Sequence, residues 1–181
     1  YTKALEEGRF LTLIKTKNRD LLGVISLSDI NYVKRECQVA YVCPEKSPSA
    51  VLPSLEALAI CTQHAFVRFG MERVGAGHPY PALANWIQKT ELLGYKTDGI
   101  SPSKFRKGTF VSDVARVSIT KESFTKLLER RSGNLWPGED KAMKMIKLIK
   151  QSTPLAGKMD KVIKSLHHEH NEFLERLEFG V

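Results

Sequence analysis

Residues 50–69 carry apolar side chains at helical spacing, and strand-type runs lie on both sides of them. Leu55, Leu58, Ala59, Cys61, Thr62, Ala65, Phe66 and Phe69 recur three and four positions apart, which is the period of one helix face. The run before it, QVAYVC at 38–43, and the run after it, RVGAGH at 73–78, have strand character. A helix that joins strand to strand bridges parallel neighbours by a right-handed crossover. That restricts the chain to folds in which helices cover a sheet with some parallel pairing.

The remaining segments make the sheet mixed. FLTLIKT at 10–16 and LLGVISLSDI at 21–30 are β-rich and flank the polar turn KNRD, so they predict a hairpin. PEKSPS at 44–49 breaks the pattern with two prolines. Ser49 and Ser54 are the candidate N-caps of the long helix, and Gly70 closes it. A second helix spans 82–93 and ends at Gly94. Strands at 95–100 and 109–120 follow, joined by the basic loop SPSKFRKG, and then a helix at 121–131 capped by Thr120 or Ser118. The fold class is therefore α/β (α+β): a mixed central sheet flanked by helices.

Composition shifts at 132–139, SGNLWPGE, which reads as a linker. Residues 1–131 form the expected core and 140–181 a helical hairpin extension, with helices near 140–151 and 158–178. In the second, Met159, Ile163, Leu166, His170, Phe173 and Leu177 alternate at spacings of four and three, a heptad seam suited to assembly with another helix.

With 181 residues, 42% hydrophobic and 27% charged, the chain has the makeup of a globular protein. A net charge of +8 favours an anionic partner: nucleic acid, a phosphorylated cofactor or a membrane surface. No apolar run approaches the roughly 18–20 residues that span a bilayer, and no signal peptide is visible. The chain opens on Tyr1 rather than Met, so upstream sequence is expected. Cys37, Cys43 and Cys61 form no CxxC pair and are read as reduced core residues, which points to the cytoplasm.

Several of these segments, in order, carry a family likeness. Leu22-Gly23 opens a central strand. Glu56-Ala57-Leu58 and Ala65-Phe66 lie in the long helix, and Met71-Glu72-Arg73-Val74 precedes the next strand. Glu91-Leu92-Leu93-Gly94-Tyr95, Asp98-Gly99, Gly108 and Asp113 complete the pattern. Over about 100 residues this order resembles the GNAT superfamily of acyl-CoA N-acyltransferases, and within it the branch that acetylates ribosomal-protein N-termini. The resemblance implies a GNAT-type sheet, acetyl-CoA as donor, and an amine on a protein or other macromolecule as acceptor. It further implies that the pyrophosphate sits at the N-terminus of the long helix, where free N–H groups and the macrodipole favour anions. The pantetheine arm then runs beside the preceding strand.

Carried onto this chain, the cofactor-binding positions are Val42, Cys43, Val51, Leu52, Ser54, Leu55 and Asn85. Val51, Leu52, Ser54 and Leu55 offer backbone amides, helped by Ser49 and Lys46. His78 is the candidate base and Tyr80 the candidate acid for the leaving thiolate. The bland alternative for His-Pro-Tyr-Pro is a rigid loop of stacked rings. Cys43 reads as a buried thiol before it reads as an acyl carrier. The chain departs from the family at its pyrophosphate turn. The turn glycines fall at Ala50 and Leu52, followed by Pro53, which has no N–H to give. The family's Asn and Ser fall near Leu83 and Trp86, so Asn85 substitutes only with a shifted loop. A second reading follows, a catalytically degenerate structural or interaction protein that uses 140–181 as its contact in a larger assembly.

Two further clusters stand outside that site. His167 and His170 share a helix face, but no carboxylate or fourth ligand stands at a fixed spacing, so no metal is expected. Lys141, Lys144, Lys147 and Lys150 recur every three residues, and Lys158, Lys161 and Lys164 continue the spacing. They form either a solvated helix face or an anion-binding one for RNA or DNA.

Overall fold

The computed structural model describes residues 9–15, 21–42 and 50–151, together with 161, 165, 168 and 172. Cys43, Lys46, Ser49, the heptad seam of 158–178, His167 and His170 lie outside the described residues.

Six strands form one sheet: β1 (Phe10–Lys15), β2 (Leu21–Asn31), β3 (Glu36–Val42), β4 (Arg73–Tyr80), β5 (Lys96–Lys107) and β6 (Phe110–Thr120). Their spatial order is β1-β2-β3-β4-β6-β5. All pairs are antiparallel except β3–β4. The parallel pair is the one bridged by the long helix α1 (Val51–Val67), as its position between two strands requires. The short helix α2 (Ala84–Thr90) runs into a 3-10 turn at Glu91–Leu93, and α3 (Lys121–Arg130) and α4 (Glu139–Gln151) follow.

The core fills one face of the sheet. Ile25 and Leu27, Cys37 and Val39, Val74 and Ala76, and Ala115, Val117 and Ile119 alternate inward along their strands and are buried. Leu55, Leu58, Ala59, Ala65 and Phe66 of α1 pack over them, and so do Ile87, Leu92 and Leu93. Phe66 stacks on Phe124 of α3, ring centroids 4.4 Å apart. Thr62 lies within this core and donates its single proton to the Leu58 carbonyl, 2.7 Å away. The Tyr95 hydroxyl, 2.7 Å from the same oxygen, must therefore be the donor to it. Tyr95 is thus a packing residue with a satisfied hydroxyl.

Cys37 and Cys61 are buried free thiols. Burial pushes them up to about 11 and about 12, so both stay protonated and inert.

Three local expectations change. The first cap of α1 is Ala50, which makes no side-chain cap bond, while the Ser54 hydroxyl instead donates back to the Ala50 carbonyl. The supposed basic loop at 101–108 is strand: β5 continues to Lys107 and pairs with β6 down to Lys107↔Phe110. Ser103 in a left-handed conformation (φ 50°) and a register shift between Ser101 and Phe105 let it do so, and polar composition alone does not reveal either. Residues after 131 also return to the core. Leu135 and Ile146 belong to the same hydrophobic cluster as the sheet. The Arg131 guanidinium donates to the carbonyls of Leu135 and Leu92, both at 2.7 Å.

Candidate active site

The parallel pair is short. Glu36, Cys37 and Gln38 face Arg73, Val74 and Gly75, and no further β3–β4 pair follows among the described residues. Both strands continue, β3 to Val42 along β2 and β4 to Tyr80 along β6. The two strands therefore splay apart toward their C-terminal ends. In an open α/β sheet, the crevice outside the carboxyl ends of parallel strands is where ligands bind.

His78 lies at this splay. By strand alternation it shares the core face with Ala76, and it pairs with Ala115 of β6. Its Nε2 is buried and has no hydrogen-bond partner. Burial lowers the imidazole to about 4, so it is neutral near pH 7. Native structures seldom leave such an atom unsatisfied, and an orphaned one at a crevice marks a place where a ligand can supply the partner. Tyr80 follows two residues on, on the same face and about 7 Å along the strand. It is buried and pairs with Asp113. The two sequence-derived candidates are thus brought together.

The helix that follows β3 suits an anion at its N-terminus. No acidic residue lies in the first turn of α1 and no side chain caps it. Its first-turn N–H groups at Val51 and Leu52 point out of the helix start, Pro53 contributes none, and the Ser54 N–H is spent on the first helical turn, four residues past the Ala50 cap. Leu55 is fully buried and its N–H lies inside the helix ladder, so contrary to expectation it has no donor for a ligand. Val42 is exposed at the end of β3. Asn85 is exposed in the first turn of α2.

Trp86 and Tyr41, which the sequence does not mark as site residues, stand together beside the splay. Their rings stack with centroids 5.7 Å apart and planes 20° apart. Because the Ser54 proton is used on Ala50, the Tyr41 hydroxyl donates to Ser54 Oγ. This links β3, the first turn of α1 and α2 across the core side of the splay. The available signal was a tryptophan one position after Asn85, in a segment otherwise read as a plain helix.

Among the described residues, no three His, Cys, Asp or Glu side chains group to hold a metal ion.

Splayed parallel strands, an uncapped helix after the first of them, and helices on a mixed antiparallel sheet define the GNAT type of α+β fold. Solved structures of that fold superpose on the chain. A chimera of the Vibrio cholerae spermidine N-acetyltransferase SpeG and hSSAT matches with a TM-score of 0.61 at 16% identity, over 70% of this chain and 78% of that one. The V. cholerae spermidine/spermine N-acetyltransferase SpeG in complex with manganese ions matches with a TM-score of 0.61 at 17% identity, over 72% of this chain and 74% of that one. No protein-family model matches the chain, and no curated protein matches it by sequence. The likeness is one of fold.

Proposed function

We propose that the protein is an N-acetyltransferase that moves an acetyl group from acetyl-CoA to an amine. One observation carries this reading: a neutral histidine with a buried, unpartnered Nε2 at the splay of the only parallel strand pair described. When bound, acetyl-CoA supplies an activated acetyl thioester. Val42 and the backbone of β3 would flank its extended arm, and the N–H groups of Val51 and Leu52 would hold its pyrophosphate, with Asn85 nearby.

The chain's own residues would then act as follows. His78 Nε2 accepts the proton that the amine nitrogen loses as the new C–N bond forms. The Tyr80 hydroxyl donates a proton to the sulfur as the C–S bond breaks. Because burial already keeps His78 neutral at working pH, the pH dependence comes from the amine, which must arrive unprotonated. The rate should climb with pH toward the amine's own pKa, with no break near 6.5.

The acceptor class follows less directly. The two solved structures named above are spermidine N-acetyltransferases, so polyamines are the first acceptors to assay. Peptide N-termini come next, from the ribosomal-protein branch that the sequence resembles. Thiol release from acetyl-CoA with spermidine or an N-terminal peptide is expected for the wild type, falling at least about 100-fold in His78→Gln, the range of one general base. Full activity in His78→Gln would remove the residue from the mechanism.

The start of α1 favours a second reading. Leu52 adds bulk and Pro53 lacks an N–H where a pyrophosphate would approach, as expected of a fold kept for binding rather than catalysis, with the C-terminal helices as its contact. Absence of thiol release with every amine, together with absence of acetyl-CoA binding, would leave that reading standing.

A further inference from the structure

The segment around 101–112, basic and loop-like in sequence, is a projecting β-ribbon. β4 ends at Tyr80, paired with Asp113. Beyond that point β5 and β6 pair only with each other, through Phe105↔Ser112, Arg106↔Val111 and Lys107↔Phe110. Gly108, at φ 61°, turns the chain at the tip. A two-stranded ribbon outside the sheet has no core of its own, so its side chains reflect some need other than packing.

Those side chains are of two kinds. Lys104, Arg106 and Lys107 are exposed, and no acidic residue occurs from 99 to 112. Among the described residues none of the three cations forms an ion pair, and Asp113, the next carboxylate along the sequence, accepts the Ser103 N–H on one oxygen at 2.9 Å. Three unneutralised cations on so short a ribbon repel one another and attract a polyanion. Interleaved with them are Phe105 and Phe110, in edge-to-face contact with centroids 6.4 Å apart. The register puts both rings on one ribbon face, with Lys107 and Ser112. Phe110 is 55% exposed and Val111 48%.

We propose that the ribbon formed by the ends of β5 and β6 is a docking surface for single-stranded nucleic acid. Lys107, on the ring face, contacts a phosphate beside the Phe110 ring, which with Phe105 behind it gives a platform for a base, while Arg106, on the opposite face with Val111, meets the backbone where the strand passes over the ribbon edge. A bilayer fits the arrangement less well. The apex Lys107-Gly108-Thr109 is polar, and the rings stand to the side of the ribbon rather than leading it, so the charged apex would enter first. The aromatic interleaving that the lysine run of α4 lacks is present here. A bound strand would lie beside Tyr80, at the splay end of β4. The proposal does not depend on acyl transfer.

The test is fluorescence anisotropy of a short labelled oligouridylate with the full chain. Binding is expected, and its affinity should fall steeply between about 50 and 200 mM salt. The combined change K104E, R106E and K107E should weaken it at least about tenfold, and the slope of log affinity on log salt should fall by about 0.7 for each phosphate no longer neutralised. Phe110→Ala, which leaves every charge in place, should weaken it about fivefold or more. K141E, K144E and K147E on α4 should leave it within about twofold. No binding of the oligonucleotide, loss through the α4 changes with the ribbon changes silent, or capture by phosphatidylserine–phosphatidylcholine vesicles in place of the oligonucleotide would each overturn the proposal.

Discussion

A histidine buried without a partner couples folding to pH in a defined direction. The imidazole of His78 sits at about 4 in the folded chain and near 6.5 when unfolded. Between these values the unfolded chain binds the extra proton, so stability rises with pH across the window. The contribution is complete above about 6.5, is lost as pH falls toward 4, and does not change further below that. Its size is on the order of 3 kcal/mol. His78→Gln should therefore flatten the dependence of unfolding free energy on pH between about 4 and 6.5, measured by denaturant titration at several pH values. An unchanged slope would mean that the imidazole is solvated. The same residue was legible from sequence as a candidate, because His-Pro-Tyr-Pro ends a strand. Its missing partner was not legible, since only the packing around Nε2 reveals that. Trp86 was hidden for a similar reason: its neighbour in space, Tyr41, is 45 positions away in the chain.

At the scale of elements, chain punctuation was readable where a backbone rule forces the residue. Gly94 ends the 3-10 turn in the left-handed region at φ 88°, donating its N–H to Glu91. A Cβ at that position would lie 2.5 Å from Leu127 Cδ1 and 3.1 Å from Ile119 Cδ1. Gly94→Ala should therefore destabilise the protein through both strain and overlap, by about 1–3 kcal/mol, seen as a lower denaturation midpoint with an unchanged m-value. A substitution that costs nothing would contradict this account of the turn. Thr120 was likewise readable as the cap of α3, where it accepts the Ser123 N–H at 3.3 Å. The start of α1 was misread because two serines looked like better caps than Ala50. The extent of β5 was misread because Pro102, Ser103 and Gly108 carry turn chemistry, yet only Gly108 turns the ribbon tip.

The strand–helix–strand order and the early hairpin were enough to call for a mixed sheet with some parallel pairing, because a helix crossover leaves few other solutions. The length of that parallel pair was not readable, since it ends at Gln38↔Gly75 while both strands run on along their other neighbours, which strand composition does not reveal. Nor could composition show that Leu135, Ala142 and Ile146 are buried with the rest of the core, since Gly and Pro at 132–139 read equally well as a linker. The net charge of +8 gains a location: part of it stands unpaired on the β5–β6 ribbon, beside the splayed end of the sheet. The central claim is that this splay holds acetyl-CoA despite Leu52 and Pro53 at the helix start, and thermal unfolding with and without the cofactor tests it most directly. A ligand that binds only the folded chain must raise Tm, by a stabilisation of about 2.7 kcal/mol at a hundredfold excess over Kd. A concentration-dependent rise in Tm with acetyl-CoA is predicted. No shift at millimolar acetyl-CoA would contradict the account.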